Sequence, residues 1–125
     1  MSNEKQYVII RRDLGLTDGA LAAQVAHLSL LSFLDNLADT KEITNTQQKW
    51  IKSPYLILLG VDNNDELEMV IDKCESAGLA NEYSTWCDTI YSKTFDSWYK
   101  ARIGIVIGPE DSDLLKTIVG NLDLY

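Results

Sequence analysis

The feature that most constrains the fold is a strand, a turn and a long helix that follow one another near the start of the chain. Tyr7–Arg11 is a short β-branched run, and Gly15 marks a turn after it. The pattern from 18 to 38 is helical and has no proline or interior glycine, and Thr17 or Asp18 can cap its first turn. This order is typical of an α/β domain, in which a helix packs against the strand that precedes it.

The rest of the chain also alternates strands and helices. The predicted elements are a short helix over 46–51, a strand over 54–61, a helix over 64–77, a strand over 101–107 and a helix over 111–119. The strand over 54–61 is apolar on both faces, as expected of a central strand, and Gly108-Pro109 is expected to end the strand over 101–107. Residues 81–100 show no regular pattern. We therefore predict one three-layer α/β/α domain over residues 1–125, with a largely parallel or mixed sheet.

Composition restricts the class of protein. A chain of 125 residues with 46% hydrophobic and 24% charged residues can bury one core. No run approaches the roughly 18 apolar residues of a membrane span, and the first residues lack the pattern of a signal peptide, so we expect a cytoplasmic protein with no membrane contact. Cys74, Cys87 and the single His27 have no zinc-ligand spacing, which predicts free thiols and no metal.

The net charge of −8 is the main physical objection to a nucleic-acid partner, because phosphate binding depends on lysine and arginine. An acidic protein can nevertheless carry a local basic rim. Over half of the 11 positive residues are candidates for such a rim: Lys5, Arg11, Arg12, Lys93, Lys100 and Arg102.

The long N-terminal helix carries polar groups on the side that its periodicity predicts to be inward. At about 100° per residue, the inward arc contains Ala20, Gln24, His27, Leu31 and Leu34, and the opposite, solvent-facing arc contains Ala22, Val25, Ser29, Ser32 and Asn36. A buried polar group without a partner costs roughly 1–3 kcal/mol. Gln24 and His27 are therefore either hydrogen-bonded core residues or the wall of a cleft at the end of the first strand.

The opening of the chain resembles, without a gap, the opening motif of the peptidyl-tRNA hydrolase II family. That motif is a strand, then Arg-x-Asp-Leu, then Gly-Lys-x-Ala-Ala-Gln-x-x-His. The matching positions here are Arg11, Asp13, Leu14, Gly19, Ala22, Ala23, Gln24 and His27. Later landmarks follow in the same order, including Lys49-Trp50, Ala77-Gly78-Leu79, Ile107-Gly108-Pro109 and Val119-Gly120. The similarity covers roughly residues 7–125.

The resemblance implies a mixed four-stranded sheet between helices and hydrolysis of the ester that joins a peptidyl group to the terminal ribose of tRNA, with no metal or organic cofactor. It also permits a homodimer. This chain departs from the motif where Ala20 replaces the family's lysine and where Asp18 stands at a position that is often a second lysine. The family's Asp-Ala-Gly-x-Thr segment falls near residues 83–90. An ungapped match puts Ser84 at the aspartate and Asp88 at the threonine, and a small shift puts Thr89 at the threonine.

Two functions remain open. In the first, a modified active site hydrolyses peptidyl-tRNA: His27 or Asp88 activates water, Asp13 and Gln24 orient it, and Arg11 or Arg12 lies near phosphate. Further substrate contacts are assigned to Gly19, Thr89, Lys93 and Arg102. In the second, an inactive descendant binds a nucleotide, an RNA end or a protein partner in the same cleft.

The aromatic residues between 86 and 99 also allow two interpretations. Trp86, Tyr91, Phe95, Trp98 and Tyr99 either close a satellite core or form a lid that stacks on a base or ribose, since aromatic faces bind bases at roughly 1–3 kcal/mol each. In the second case Lys93, Lys100 and Arg102 contact phosphate. Exposed aromatics are also frequent anchors of a dimer interface.

Overall fold

A computed structural model describes residues 3–125 and shows four helices and five strands. The elements in chain order are β1 (Glu4–Arg11), a 3-10 turn (Arg12–Leu14), α1 (Asp18–Thr40), α2 (Asn45–Lys52), β2 (Leu56–Val61), α3 (Asn64–Ser76), β3 (Tyr83–Ser92), β4 (Ser97–Asp111), α4 (Ser112–Val119) and β5 (Asp123–Leu124).

The sheet is mixed, as predicted, and its strand order is β3-β4-β1-β2-β5. β1 is parallel to β2 and antiparallel to β4. The short β5 pairs with the end of β2 and adds a fifth strand to the four that the resemblance implies. The strand predicted over 54–61 forms as β2, an interior strand between β1 and β5, although β1 is the middle strand of the five. Ile9 in β1 is fully buried, whereas Leu56 at the start of β2 is exposed.

Helices cover both faces of the sheet, which confirms the three-layer α/β/α architecture. On one face, α3 and α4 close a cluster around Ile9, Ile105 and Ile107. On the other face, α1 covers a cluster around Val8, Ile10 and Val106. α2 lies on the same face as α1, where Gln47 Nε2 donates to the carbonyl of Ser32.

Helix α3 forms as predicted. Asn63 caps it by accepting from the backbone N–H of Glu66 at 3.0 Å. Its buried residues are Leu67, Val70, Ile71 and Cys74, the stripe that the sequence predicts. The outer face is charged, so only one side of this helix can be buried.

Helix α1 forms where predicted, but only part of its predicted inner arc faces the sheet. Leu28 and Gln24 are buried, whereas His27 and Leu34 are exposed and Ser29 and Ser32 face the sheet. The reason is Gln6 of β1, which is completely buried and needs polar partners. Its Nε2 donates to the carbonyl of Ser29 at 3.0 Å and to Ser32 Oγ at 2.9 Å, and its Oε1 accepts from Ser29 Oγ at 2.6 Å.

The region that lacks a regular pattern in the sequence is mostly a long hairpin. β3 and β4 pair from Tyr83↔Ile107 to Ser92↔Ser97, with a bulge after Trp86. The expected end of the strand at Gly108-Pro109 is also wrong, since β4 continues to Asp111. A register shift between Lys5 and Tyr7 allows pairing to resume beyond the proline, at Lys5↔Glu110.

Contrary to the sequence expectation, one helix of the described residues, α1, is long and apolar enough to cross a membrane by length and composition. Signal sequences and core helices of soluble proteins meet the same two criteria. In this fold α1 contacts β1, β3 and β4.

Candidate active site

The first turn of α1 is fixed to the tip of the β3–β4 hairpin. Thr17 caps the helix, because its Oγ1 accepts from the backbone N–H of Ala20 at 3.2 Å. Gly15 has a φ of 64°, and its carbonyl accepts from the N–H of Lys93 at 2.9 Å. A Cβ at Gly15 would lie 2.3 Å from Thr94 Oγ1, so only glycine allows this approach. The helix start and the hairpin tip therefore form one wall.

Gln24 is the centre of a polar network between α1 and β3. Its Nε2 donates to Asp88 Oδ2 at 3.0 Å, and its Oε1 accepts from Trp86 Nε1 at 2.8 Å. Asp88 Oδ1 accepts from the N–H of Thr89 at 2.8 Å. Trp86 and Asp88 are two residues apart on a strand and so point to the same face, toward α1. The amide of Gln24 is thereby held in one orientation.

This network borders an open cleft of about 260 Å³, which we call the Gln24 cleft. Its lining residues are Thr17, Ala20, Gln24, Thr89, Ile90, Tyr91 and Trp98. Gln24 is only 5% exposed and still contributes to the wall. Asp88 is not itself a lining residue, and it adjoins the cleft through its hydrogen bond with the amide of Gln24.

His27 lies outside this lining. Its side chain is on the exposed side of α1, and its ring packs edge-on against Trp86 with a centroid distance of 5.4 Å. His27 therefore contacts the network from the outer side, through Trp86.

The predicted arginines are engaged in separate ion pairs. Arg11 donates two hydrogen bonds to Asp13, at 3.0 and 2.8 Å, and a third to the carbonyl of Arg102 at 3.2 Å. The hydrogen bond to Asp13 raises the pKa of Arg11, since it favours the charged guanidinium. The side chain of Arg102 pairs with Glu68 of α3.

Arg12 points toward the opposite edge of the sheet. It donates to the carbonyl of Leu124 at 3.0 Å, pairs with Asp62 at 3.5 Å, and lies over the ring of Tyr125. It binds the end of the chain to the body of the protein, and none of its observed contacts involves the Gln24 cleft.

Of the other residues predicted in the site, some lie at the Gln24 cleft and others do not. Thr89 lines the cleft, Lys93 is exposed in the adjacent turn, and Gly19 has open space around its Cα. Ser84 does not reach the cleft, because its Oγ donates to Asp35 Oδ2 at 2.5 Å further along α1. Of the two positions that the ungapped match considers, only Asp88 therefore lies beside Gln24.

A larger groove of about 660 Å³, the acidic groove, lies between the end of α1 and the start of β3. Its lining includes the carboxylates of Asp35, Asp39, Glu82 and Glu110. Burial raises the pKa of Glu82, and the charge and hydrogen bond of Glu110 raise it further. Phosphate is repelled by such a surface, so size alone does not make this groove the better candidate for an RNA substrate.

Neither cysteine completes a nucleophile with the single histidine. Cys74 is buried under α3 on the opposite side of the sheet from α1, and burial raises the pKa of its thiol to about 11. Cys87 is exposed, and both thiols are free, as predicted. Within residues 3–125, no group of three or more His, Cys, Asp or Glu side chains is placed to hold a metal ion.

Comparison with known proteins decides the family. The family model described as peptidyl-tRNA hydrolase PTH2 matches residues 4–125. The chain belongs to this family. A protein of Methanocaldococcus jannaschii named peptidyl-tRNA hydrolase is 26% identical over 122 residues, which are 96% of this chain and 98% of that protein. A protein of Haloquadratum walsbyi with the same name is 29% identical over 97% of this chain and 99% of its own length.

A third relative matches a shorter segment. The Thermoplasma volcanium protein, also named peptidyl-tRNA hydrolase, is 32% identical over 79 residues, which are 62% of this chain and 65% of that protein. The chain therefore spans slightly less than two thirds of this relative and nearly the whole of the other two.

Ala20 lines the Gln24 cleft at the position of the lysine in the motif quoted above. The methyl group supplies no charge to a phosphate or an oxyanion.

The sequence does not indicate that Trp86 donates a hydrogen bond to Gln24, whereas Tyr91 and Trp98, which line the cleft, belong to the aromatic set for which a lid is one of the two interpretations. The signal was present in β3, where Thr85, Cys87 and Thr89 are exposed and alternate with Trp86, Asp88 and Ile90 on the covered side.

Proposed function

We propose that this protein hydrolyses the ester between a peptidyl group and the terminal ribose of tRNA, and that the reaction takes place at the Gln24 cleft. The observation that carries the proposal is the Gln24–Asp88 pair beside an open cleft, in a chain of the peptidyl-tRNA hydrolase PTH2 family. The three relatives described above are each named peptidyl-tRNA hydrolase.

Asp88 is the proposed base. Each of its oxygens accepts one hydrogen bond in the network and keeps a further lone pair for a water molecule. The water oxygen attacks the ester carbonyl carbon as its proton passes to Asp88, the bond from carbon to the ribose oxygen breaks, and the proton is transferred to that oxygen. Gln24 is a positioning residue, because it fixes the carboxylate and does not itself exchange a proton.

The start of α1 supplies the favourable electrostatic field in this proposal. Thr17 and Ala20 of the first turn line the cleft, and the amino end of a helix carries a partial positive charge that favours a developing oxyanion. Gly19 leaves space for substrate at this turn. Thr89 and Lys93 then contact the substrate from the hairpin side.

Of the basic residues named from the sequence, Arg11, Arg12 and Arg102 have the weaker claim to phosphate, since each already pairs with a carboxylate. Asp13 acts in this proposal through Arg11, as a positioning residue. His27 supports the network from outside through its contact with Trp86.

The test is single-turnover cleavage of peptidyl-tRNA by the wild type and by Asp88→Asn, with Asp72→Asn as the matched control. Asp72 is exposed on α3, on the other side of the sheet. We expect Asp88→Asn to lower the rate by at least about 100-fold, the lower end of the usual contribution of a general base, and Asp72→Asn to leave it unchanged. Intact peptidyl-tRNA after incubation with wild-type protein, under conditions in which the Methanocaldococcus jannaschii relative cleaves it, would overturn the proposal.

A second candidate function is favoured by Ala20, by the altered segment around Asp88 and by the net charge of −8. In it, the protein binds a nucleotide, an RNA end or a protein partner in the cleft without cleaving an ester. Ala20→Lys separates the two functions, with Ala22→Lys on the exposed side of α1 as the matched control. Faster cleavage with Lys at position 20 alone supports the hydrolase, and no gain in a protein whose wild type is inactive supports the binding function.

Location and assembly belong to the same proposal. A tRNA substrate implies a cytoplasmic protein, and residues 1–125 are proposed to act as one domain without a cofactor. The outer face of α1 exposes Leu30 and Leu34, by 56% and 49%, and this apolar surface is compatible with the homodimer that the family resemblance permits. Sedimentation of the purified chain measures its mass directly.

A further inference from the structure

Toward its turn, the β3–β4 hairpin leaves one of its two faces exposed, whereas nearer its base the same face meets α3 through the Arg102–Glu68 pair. Residues opposite each other in an antiparallel pair point to the same side, so the register gives the composition of each face. The covered side carries Trp86, Ile90, Tyr99 and Ala101, which pack in the cluster beneath α1. The other side, which we call the hairpin face, carries the pairs Cys87↔Arg102, Thr89↔Lys100 and Tyr91↔Trp98.

Two aromatic rings lie at the end of this face that borders the Gln24 cleft. Trp98 is 70% exposed, and its ring lies 5.7 Å from that of Tyr91, with the two planes inclined by 57°. Both residues, together with Thr89, also line the cleft. The hairpin face is therefore continuous with the proposed active site.

The hairpin face carries positive side chains, although the whole protein has a net charge of −8. Lys100 lies two residues from Trp98 on the same face, and Lys93 is in the turn that joins β3 to β4. Among the described residues, neither lysine forms an ion pair. The nearby carboxylates are already engaged, since Asp96 accepts from the hydroxyl of Tyr91 and Glu68 pairs with Arg102.

We propose that the hairpin face binds the unpaired 3′-terminal nucleotides of the RNA substrate, with a base stacked on Trp98 and the following phosphate near Lys100. Exposed aromatic rings and unpaired cations are the combination that binds single-stranded nucleic acid, because every base has a face that can stack. A duplex does not expose its base faces in this way. The inference rests on the proposed function for the identity of the RNA, but it concerns binding and not cleavage.

The strand register divides the aromatic residues between 86 and 99 into two groups, one on each face of the hairpin. Trp86 and Tyr99 pack against the core beneath α1, as a satellite core requires. Trp98 and Tyr91 point away from it and remain available to a ligand. The satellite core therefore accounts for one face of the hairpin, and the proposed contact with a base concerns the other face.

The experiment compares Trp98→Leu, which removes the ring, with Trp98→Phe, which keeps an aromatic face. Tyr55→Leu is the matched control, because Tyr55 is also an exposed aromatic, at 57%, but precedes β2 on the other half of the sheet. Two quantities are measured: kcat and KM for peptidyl-tRNA, and the Kd of a short single-stranded RNA that ends in CCA. Trp98 is too exposed for its loss to unfold the protein, which a thermal melt of each variant checks.

We expect Trp98→Leu to raise both KM and the Kd about tenfold with little change in kcat, as loss of one stacked base predicts. Trp98→Phe should restore most of the affinity, and Tyr55→Leu should match the wild type. Lys100→Gln should reduce the slope of log Kd against log salt by about 0.7, the value for one contact to a single-stranded phosphate.

The outcomes distinguish this inference from the proposed function. A wild type that binds the RNA through Trp98 but cleaves no ester would overturn the hydrolase and leave the hairpin face as an RNA site. A wild type that cleaves peptidyl-tRNA while Trp98→Leu retains the wild-type KM and Kd would overturn this inference alone. Loss of self-association in Trp98→Leu, with unchanged RNA affinity, would assign the face to a second copy of the chain.

Discussion

Two buried glutamines hold α1 against the sheet, and only one of them borders open space. Gln6 lies under the middle of α1, is completely buried, and is bonded to Ser29 and Ser32. Gln24 lies near the start of α1, is 5% exposed, and is bonded to Asp88 and Trp86. Both are satisfied, but only the second forms part of a cleft wall. A buried polar network therefore supports the proposed function only where it borders open space, as that of Gln24 does.

The largest effect is expected when the network of Gln6 is removed. Gln6→Ala leaves Ser29 and Ser32 without their partner and opens a cavity in the core, so we expect the free energy of unfolding to fall by about 2–4 kcal/mol. Denaturant unfolding measures it. The control is Gln48→Ala, an exposed glutamine of α2. A loss no larger than that of the control would show that this network does not stabilise the fold.

Gln24→Ala should have a smaller effect on stability than Gln6→Ala and a larger effect on the rate of cleavage. Because water can reach the vacated space through the cleft, we expect a loss of only about 1 kcal/mol in stability. Loss of the bond that orients Asp88 should lower the single-turnover rate of peptidyl-tRNA cleavage about tenfold or more. The informative comparison is the loss of rate relative to the loss of stability in each variant. A Gln24 variant that is destabilised as much as Gln6→Ala, with an unchanged rate, would remove the distinction between the two networks.

The smallest effect on stability is expected in the acidic groove, where Glu82 and Glu110 are two carboxylates close to each other. The pKa of Glu82 is raised in the folded protein, so its stabilising contribution is present below the ordinary glutamate pKa and is lost as the pH rises through the folded pKa. Glu82→Gln should therefore raise the Tm slightly at neutral pH, and the gain should vanish on acidification.

Thermal melts of the wild type and of Glu82→Gln between about pH 4 and pH 8 measure this difference. Glu42→Gln, an exposed residue after α1, is the control. A gain that is constant across this range would show that titration of Glu82 is not its cause.

The comparison also shows why the sequence predicts some of this fold and not the rest. The stripe of α3 is predictable because its outer face is charged and gives the periodicity a clear contrast. α1 has no such contrast, since Leu30 and Leu34 are exposed on its outer side, so the arc of the helix that faces the sheet depends on Gln6, a residue of another element. Gln24 was predicted in the site, but the identity of its partners depends on the register of a hairpin that the mixed residues of 81–100 conceal.

The most direct test of the proposed active site is a double-mutant cycle on the single-turnover rate, with Gln24→Ala, Asp88→Asn and both changes together. If Gln24 acts only by orienting Asp88, the double variant cleaves peptidyl-tRNA no more slowly than Asp88→Asn alone. Rate losses that multiply, or a wild type that leaves peptidyl-tRNA intact, would contradict the account.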